Sequence, residues 1–183
     1  MTLEQGTERA IPHDLAAEQR VLGALLIDRD AIFKVADLLR ADDFYQGKHQ
    51  RIYRAAQALL ERRERIDPLT MQVELARNEF LDQVGGAAYL RDLVETTPTA
   101  VDVERNARVV RDKSLLRRLL DAAKNIARDA YDEPADVTLA LDRAEQRIFS
   151  LRDDAINGQL GTSRARSLRT TTTSPSAWSI RSR

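Results

Sequence analysis

Apolar residues recur along this chain at intervals of three and four, the period of helices with one buried face. Asp14 to Asp28 carries Leu15, Leu22, Leu25 and Leu26 at that spacing, with Asp14 placed as N-cap. Asp30 is placed to cap a second short helix through Ile32, Val35, Leu38 and Leu39. Gly47 to Arg63 reads as a third, with Ile52, Ala56, Leu59 and Leu60 facing inward. Asp67-Pro68 reads as N-cap and first residue of a fourth, where proline's missing N–H costs nothing. Gly85-Gly86 is a turn before a short fifth helix holding Ala88, Tyr89, Leu90, Leu93 and Val94.

After Pro98 the pattern changes scale. From about Ala100 to Tyr131 runs an uninterrupted helical pattern through Val103, Ala107, Val110, Leu116, Leu120, Ala123, Ile126 and Ala130. Pro134 closes it, Asp136 is placed to cap again, and a last helix is expected to reach about Ala155. Its apolar positions Val137, Leu141, Ala144, Ile148 and Leu151 alternate steps of four and three, the seam of a coiled coil. Joined by a short Asp132–Ala135 turn, the two helices predict a hairpin. The first spans about 45 Å at 1.5 Å per residue, more than a compact core needs. Leu115, Leu119 and Val109 add a second apolar stripe to it, which favours pairing with another copy over an internal seam alone.

Strand signals are nearly absent: 5% of residues are aromatic, and β-branched residues are scattered without period two. The fold class expected is all-α, a compact helical bundle followed by a two-helix hairpin and a disordered C-terminal tail. The divisions are a flexible N-terminus over 1–11, the bundle over 12–98, the hairpin of the same domain over 99–156, and the tail over 157–183. Residues 161–183 are rich in Ser and Thr, with five arginines, no acid and no helical period.

Charge and composition narrow the function. The 183 residues carry 29 basic and 29 acidic side chains, but with the tail's five arginines set aside, residues 1–160 hold 24 against 29, a net charge of −5. Such a surface does not attract nucleic acid through its overall field. Without cysteine there are no disulfides, thiolate zinc sites or cysteine nucleophile. No apolar run approaches the roughly 20 residues that span a bilayer, and the opening MTLEQGTERAIPHD lacks an apolar stretch after a basic one. A cytoplasmic protein is the expectation.

Catalytic constellations are missing. The seven glycines, at 6, 23, 47, 85, 86, 158 and 161, include none in a G-x-x-x-x-G-K-[ST] phosphate loop. His13 and His49 lie 36 positions apart and outside any zinc-binding spacing, so His49 reads as a structural histidine. Asp42-Asp43 reads as a helix-start cap and Asp153-Asp154 as a solvated helix end. Arg108, Arg111, Lys113, Arg117 and Arg118 read first as the solvated face of the long helix, and second as a surface for an acidic partner. Not an enzyme as it stands, with no cofactor or metal, is the expectation.

Several segments match a known pattern in order. They are the run from Pro12 to Leu26 through Gly23, Asp43-Phe44-Tyr45 followed by His49 and Ile52-Tyr53, and Val84-Gly85-Gly86-Ala87-Ala88-Tyr89-Leu90. Thr97-Pro98-Thr99-Ala100, Lys113 to Leu119, and Ala144-Glu145-Gln146-Arg147-Ile148-Phe149 complete the series. Over about residues 12–156 the chain resembles the N-terminal domain of DnaB-type replicative DNA helicases. The resemblance implies a bundle and hairpin that form a collar on a hexameric ring, a trimer of dimers packed through the hairpins. It implies docking of primase and helicase loader in the bacterial replisome. ATP, magnesium and DNA contact belong to a following RecA-like domain, which this sequence lacks. Asn106 departs from the pattern where an aromatic residue is expected, a loss that would loosen local packing. After Gln159-Leu160 the pattern stops, and the hypothesis is a frameshift or truncation with 161–183 read out of frame.

An oligomerisation and primase- or loader-docking module of a replicative helicase is therefore the leading function. Self-association would run through the apolar residues Leu116, Leu120, Ile126, Leu141, Ile148 and Leu151. A free-standing non-catalytic protein that modulates helicase or primase is the alternative. A nucleic-acid-binding module using the arginine stripe and basic tail stands third.

Overall fold

The computed structural model describes residues 10–132 and 136–167, with backbone alone beyond residue 155. Eight helices follow one another, and no strand occurs among the described residues. They are α1 (Leu15–Ile27), α2 (Ala31–Val35), α3 (Gly47–Glu61), α4 (Pro68–Arg77), α5 (Leu81–Val84), α6 (Gly86–Glu95), α7 (Val103–Tyr131) and α8 (Val137–Ser167), with a 3-10 turn at Ala41–Asp43. Of the expected flexible stretches, residues 1–9 and 168–183 lie outside the described residues, as do 133–135 of the hairpin turn.

The expected caps at three helix starts are present. Asp14 Oδ1 accepts the Ala17 N–H at 2.9 Å. Asp67 Oδ1 accepts from Leu69 and Thr70, while Thr70 Oγ1 accepts the Asp67 N–H at 3.0 Å, a reciprocal capping box ahead of Pro68. Asp136 Oδ1 accepts the Leu139 N–H at 3.1 Å.

Three local expectations are corrected. Asp30 makes no cap bond, and α2 stops at Val35. Leu38 and Leu39 both bond back to the Val35 carbonyl in a tightened turn that delivers both side chains to the core. α3 ends at Glu61 because Arg63 takes left-handed backbone (φ 59°) and the Glu64 N–H closes onto the Leu59 carbonyl. The same closure at Glu79 (φ 60°), with Phe80 N–H on the Leu75 carbonyl, separates α4 from the unforeseen α5. Finally, α8 runs on to Ser167 rather than stopping near Ala155. No proline follows Pro134 until Pro175, so none interrupts the helix, and residues 157–167 of the expected disordered tail are helical.

One core joins α1 to α6 and the start of α7. Leu22 and Leu25, Ile32, Phe44, Ile52, Tyr53, Leu59, Met71, Leu75, Leu90 and Leu93 are fully buried in it. Helix α7 belongs to both halves: Val103, Ala107 and Val110 complete the bundle core, and Ser114 is its last buried residue. Asn106 is half-buried on this same segment. Beyond Ser114, the remaining α7 and the described side chains of α8 are half-buried or exposed. At 29 residues, α7 extends roughly 44 Å and carries the hairpin out of the bundle.

Candidate self-association surface

Two ion pairs set the antiparallel register of the hairpin. Arg147 Nη1 lies 2.5 Å from Asp129 Oδ2 near the tip, and Arg118 Nη1 lies 3.2 Å from Asp154 Oδ2 near the base. Between α7 and α8 at the tip lies an open apolar groove of about 400 Å³. Ile126, Ala130, Val137, Ala140, Leu141 and Ala144 form its walls, and the Asp129–Arg147 pair borders it.

The residues expected to carry self-association divide between this groove and the outer face. Ile126 and Leu141 come together at the groove, Leu141 still 61% exposed. Leu116, Leu120 and Ile148 lie 45–46% exposed, and Leu151 is half-buried. Leu119, part of the second apolar stripe in the sequence, is exposed as well, and so is Phe149, which the apolar spacing does not assign to the surface. Leu116, Leu119 and Leu120 are spaced i, i+3, i+4, the interval that places them on one helix face. Phe149 stands out only as a large apolar residue beside Ile148.

The arginine stripe of α7 serves the molecule's interior. Arg117 donates to the Pro12 carbonyl (2.9 Å) and the Asp43 carbonyl (2.6 Å). Arg118 Nη2 donates to Asp43 Oδ1 at 2.7 Å, and Arg111 Nη1 to the Leu38 carbonyl at 2.7 Å. Both sequence readings of these three residues, solvated face and acidic-partner surface, are corrected. The reason is that a guanidinium spreads five donors over a wide fork, so one side chain satisfies several buried acceptors. Arg108 does lie on the exposed face, 4.0 Å from Glu104.

The acidic pairs change meaning with them. Asp43 is buried: Oδ1 accepts from Ser114 Oγ and Arg118, and Oδ2 from the Arg40 N–H at 2.7 Å. It does close the 3-10 turn, but it also ties α7 to the bundle. Asp154, expected in solvent, is paired with Arg118 and lies 3.7 Å from Arg40.

His49 is structural, as its sequence context suggested. Its Nδ1 lies 2.6 Å from Glu18 Oε2 and its Nε2 2.6 Å from the Tyr89 hydroxyl, both at full burial of the ring. Glu18 also accepts the N–H of Tyr45 at 2.6 Å, so α1 and the start of α3 meet at one carboxylate, and α6 joins them through Tyr89 on the far side of the imidazole. Tyr45 stacks on His13 with ring centroids 4.5 Å apart. No group of three metal-ligating side chains converges among the described residues. The sequence holds no G-x-x-x-x-G-K-[ST] phosphate loop.

Comparison with known proteins follows this geometry closely. The family described as the DnaB-like helicase N-terminal domain matches residues 10–112. The replicative DNA helicase DnaB of Geobacillus stearothermophilus is 39% identical over 145 residues, covering 79% of this chain and 32% of its own length. That of Mycobacterium leprae is 42% identical over 147 residues, covering 79% and 24%. The chain thus spans about a third or less of these relatives. The crystal structure of the N-terminal domain of DnaB helicase from Mycobacterium tuberculosis superposes with TM-score 0.73 at 42% identity, over 76% of this chain and 99% of that one. A DnaB-like replicative helicase, described with its interactions with primase, shares the fold at TM-score 0.62 and 24% identity, over 75% and 31%.

Proposed function

Because this chain belongs to the DnaB-like helicase N-terminal domain family, we propose that it is the non-catalytic assembly and docking domain of a bacterial replicative helicase, working in the cytoplasm. One observation carries the reading: beyond Ser114 none of the described side chains of the two longest helices is completely buried, while Leu116, Leu119, Leu120, Leu141, Ile148 and Phe149 are exposed along them. A second copy of the hairpin covers such a face at low cost, because both sides are already helical. Ring formation as a trimer of dimers, and docking of primase and loader, are part of the same proposal. Family membership and the primase named with the more distant structural neighbour support them. Nucleotide hydrolysis and DNA contact are assigned to the remaining two thirds of the relatives' length.

Sedimentation velocity on the full chain, from low to high micromolar concentration, tests this. The mass should rise to a multiple of 20.7 kDa. Leu120→Asp or Ile148→Asp should return it to one copy with the thermal melt of the bundle retained, since neither residue belongs to the core. A single-copy mass at every concentration overturns self-association. Failure of purified primase to co-elute with the assembled chain overturns the docking half alone.

A further inference from the structure

The base of α8 is held by one residue in a socket of three arginines. Asp154 Oδ2 faces Arg118 Nη1 at 3.2 Å, its Oδ1 faces Arg40 Nη1 at 3.7 Å, and its main-chain carbonyl accepts from Arg111 Nη2. Two of the guanidiniums are anchored elsewhere first, Arg118 by the buried Asp43 and Arg111 by the Leu38 carbonyl, whereas Arg40 is tied only at its main-chain N–H on Asp43 and its side chain stays exposed. The bundle and α7 therefore present a partly pre-formed cationic socket, and α8 supplies the carboxylate and the carbonyl. Among the described residues the apolar packing beside Asp154 is partial, with Leu151 and Ala155 half-buried and no described side chain of α8 fully buried. The Asp154 side chain is 35% exposed and that of Arg40 68%, so water and ions reach the contact.

We propose that Asp154 and its three arginines form a charge latch that holds the base of α8 against the bundle and sets the direction in which α8 leaves it. The latch opens when salt screens it or when another carboxylate takes the socket. Partly exposed pairs are individually weak, which is what a reversible latch requires. Screening at 1 M salt acts within about 3 Å, against about 10 Å at 0.1 M, so the contact is tunable over an accessible range. The inference does not depend on self-association, since every group in it lies on one chain.

The absence of native cysteine allows spin labels to be placed at will. One full-length variant carries labels at Asp37→Cys and Ser150→Cys, across the base; another at Lys124→Cys and Asp142→Cys, across the tip. All four positions are exposed. Distances are read by pulsed electron resonance in an excess of unlabelled chain, so that contacts between copies do not contribute. At low salt the base pair should give one narrow distribution. High salt, or Asp154→Asn, should add a longer component, with the open fraction rising about fivefold, while the tip distances stay fixed. The Asp154→Asn chain should no longer respond to salt. A base distribution unchanged by both salt and Asp154→Asn overturns the latch. Parallel loss of the tip distances also overturns it, because the hairpin would then be separating as a whole.

Discussion

Replacing Gly23 by alanine sets two effects of opposite sign against each other. Within α1 alone, the change is favourable by about 1 kcal/mol, because glycine is a poor helix former. The packing opposes it. A Cβ on Gly23 would lie 2.1 Å from Thr97 Oγ1 and 2.3 Å from the Leu93 carbonyl oxygen. Thr97 can rotate, but the carbonyl belongs to the backbone of α6, so α1 and α6 must separate by about 1 Å to reach ordinary contact. That separation loosens Leu22 and Leu25 against Leu90 and Leu93, all fully buried. Overpacking of this kind costs about 1–3 kcal/mol, and a backbone clash places it at the upper end. The net expectation is a loss of about 2 kcal/mol, or roughly 4–8 °C in Tm for a domain of this size.

Thermal and urea melts followed by far-ultraviolet circular dichroism measure this loss, and Thr97→Ala separates its sources. Thr97 Oγ1 is buried without a hydrogen-bond partner, so removing it alone should leave stability unchanged or slightly raised. The double variant should recover only part of the loss, because the Leu93 carbonyl is still in place. A Gly23→Ala chain as stable as the parent would refute the close approach of the two helices. Full rescue by Thr97→Ala would refute the role of the backbone.

The junction predicts an asymmetry: Arg118→Met strips the cation from buried Asp43 and should cost about 2–3 kcal/mol, the usual loss for a broken buried pair discounted because Arg118 is partly exposed. Adding Asp43→Asn should restore part of that stability by removing the unpaired charge, and a double variant no more stable than Arg118→Met contradicts the assignment. Acid stability should reflect Glu74, whose carboxyl is held below its ordinary value of 4.5 chiefly by the Arg62 hydrogen bond, with Asn78 adding to it. Since the folded value is the lower one, this contribution is complete above 4.5 and drains away as pH falls below it. The Tm gap between the parent and Glu74→Gln should therefore close on acidification, and a gap constant with pH refutes the linkage.

Much of the fold was legible because helix signals are local. Asp14, Asp67 and Asp136 announce their helices through a side chain that reaches only two or three residues along the chain. The hairpin was legible from the 4-3 seam of its second helix, from Val137 to Leu151, and from the short proline-bearing turn before it, and the ordered motifs placed the chain in its family. What stayed hidden depends on partners distant in sequence. Arg63 and Glu79 adopt a conformation that glycine usually marks, so the ends of α3 and α4 carry no residue signal. Gly23 reads as a weak spot in a helix until α6 is laid against it. Arg111, Arg117 and Arg118 look solvated because the acceptors that claim them come from residues 12, 38, 43 and 154.

The candidate surface inverts the usual assignment of charge and grease. In this domain Arg111, Arg117 and Arg118 of α7 face inward, consumed by Asp43, Asp154 and main-chain carbonyls, whereas Leu116, Leu119 and Leu120 of the same helix face outward. The inversion follows from position. Near the bundle, α7 crosses turns whose carbonyls and carboxylates need donors, and only a long forked side chain reaches them without opening the core. Past Ser114 no side chain of α7 is completely buried, and although Arg117 and Arg118 still reach back to the bundle, Leu116, Leu119 and Leu120 are left exposed. Under the self-association and the latch proposed above, affinity and geometry fall to different residues. Leu120→Asp should change the mass of the assembly and leave the base distance of α8 alone, whereas Asp154→Asn should shift that distance and leave the mass alone. A single substitution that moved both readouts together would mean that the seam and the socket are one cooperative unit, and the division argued here would fail.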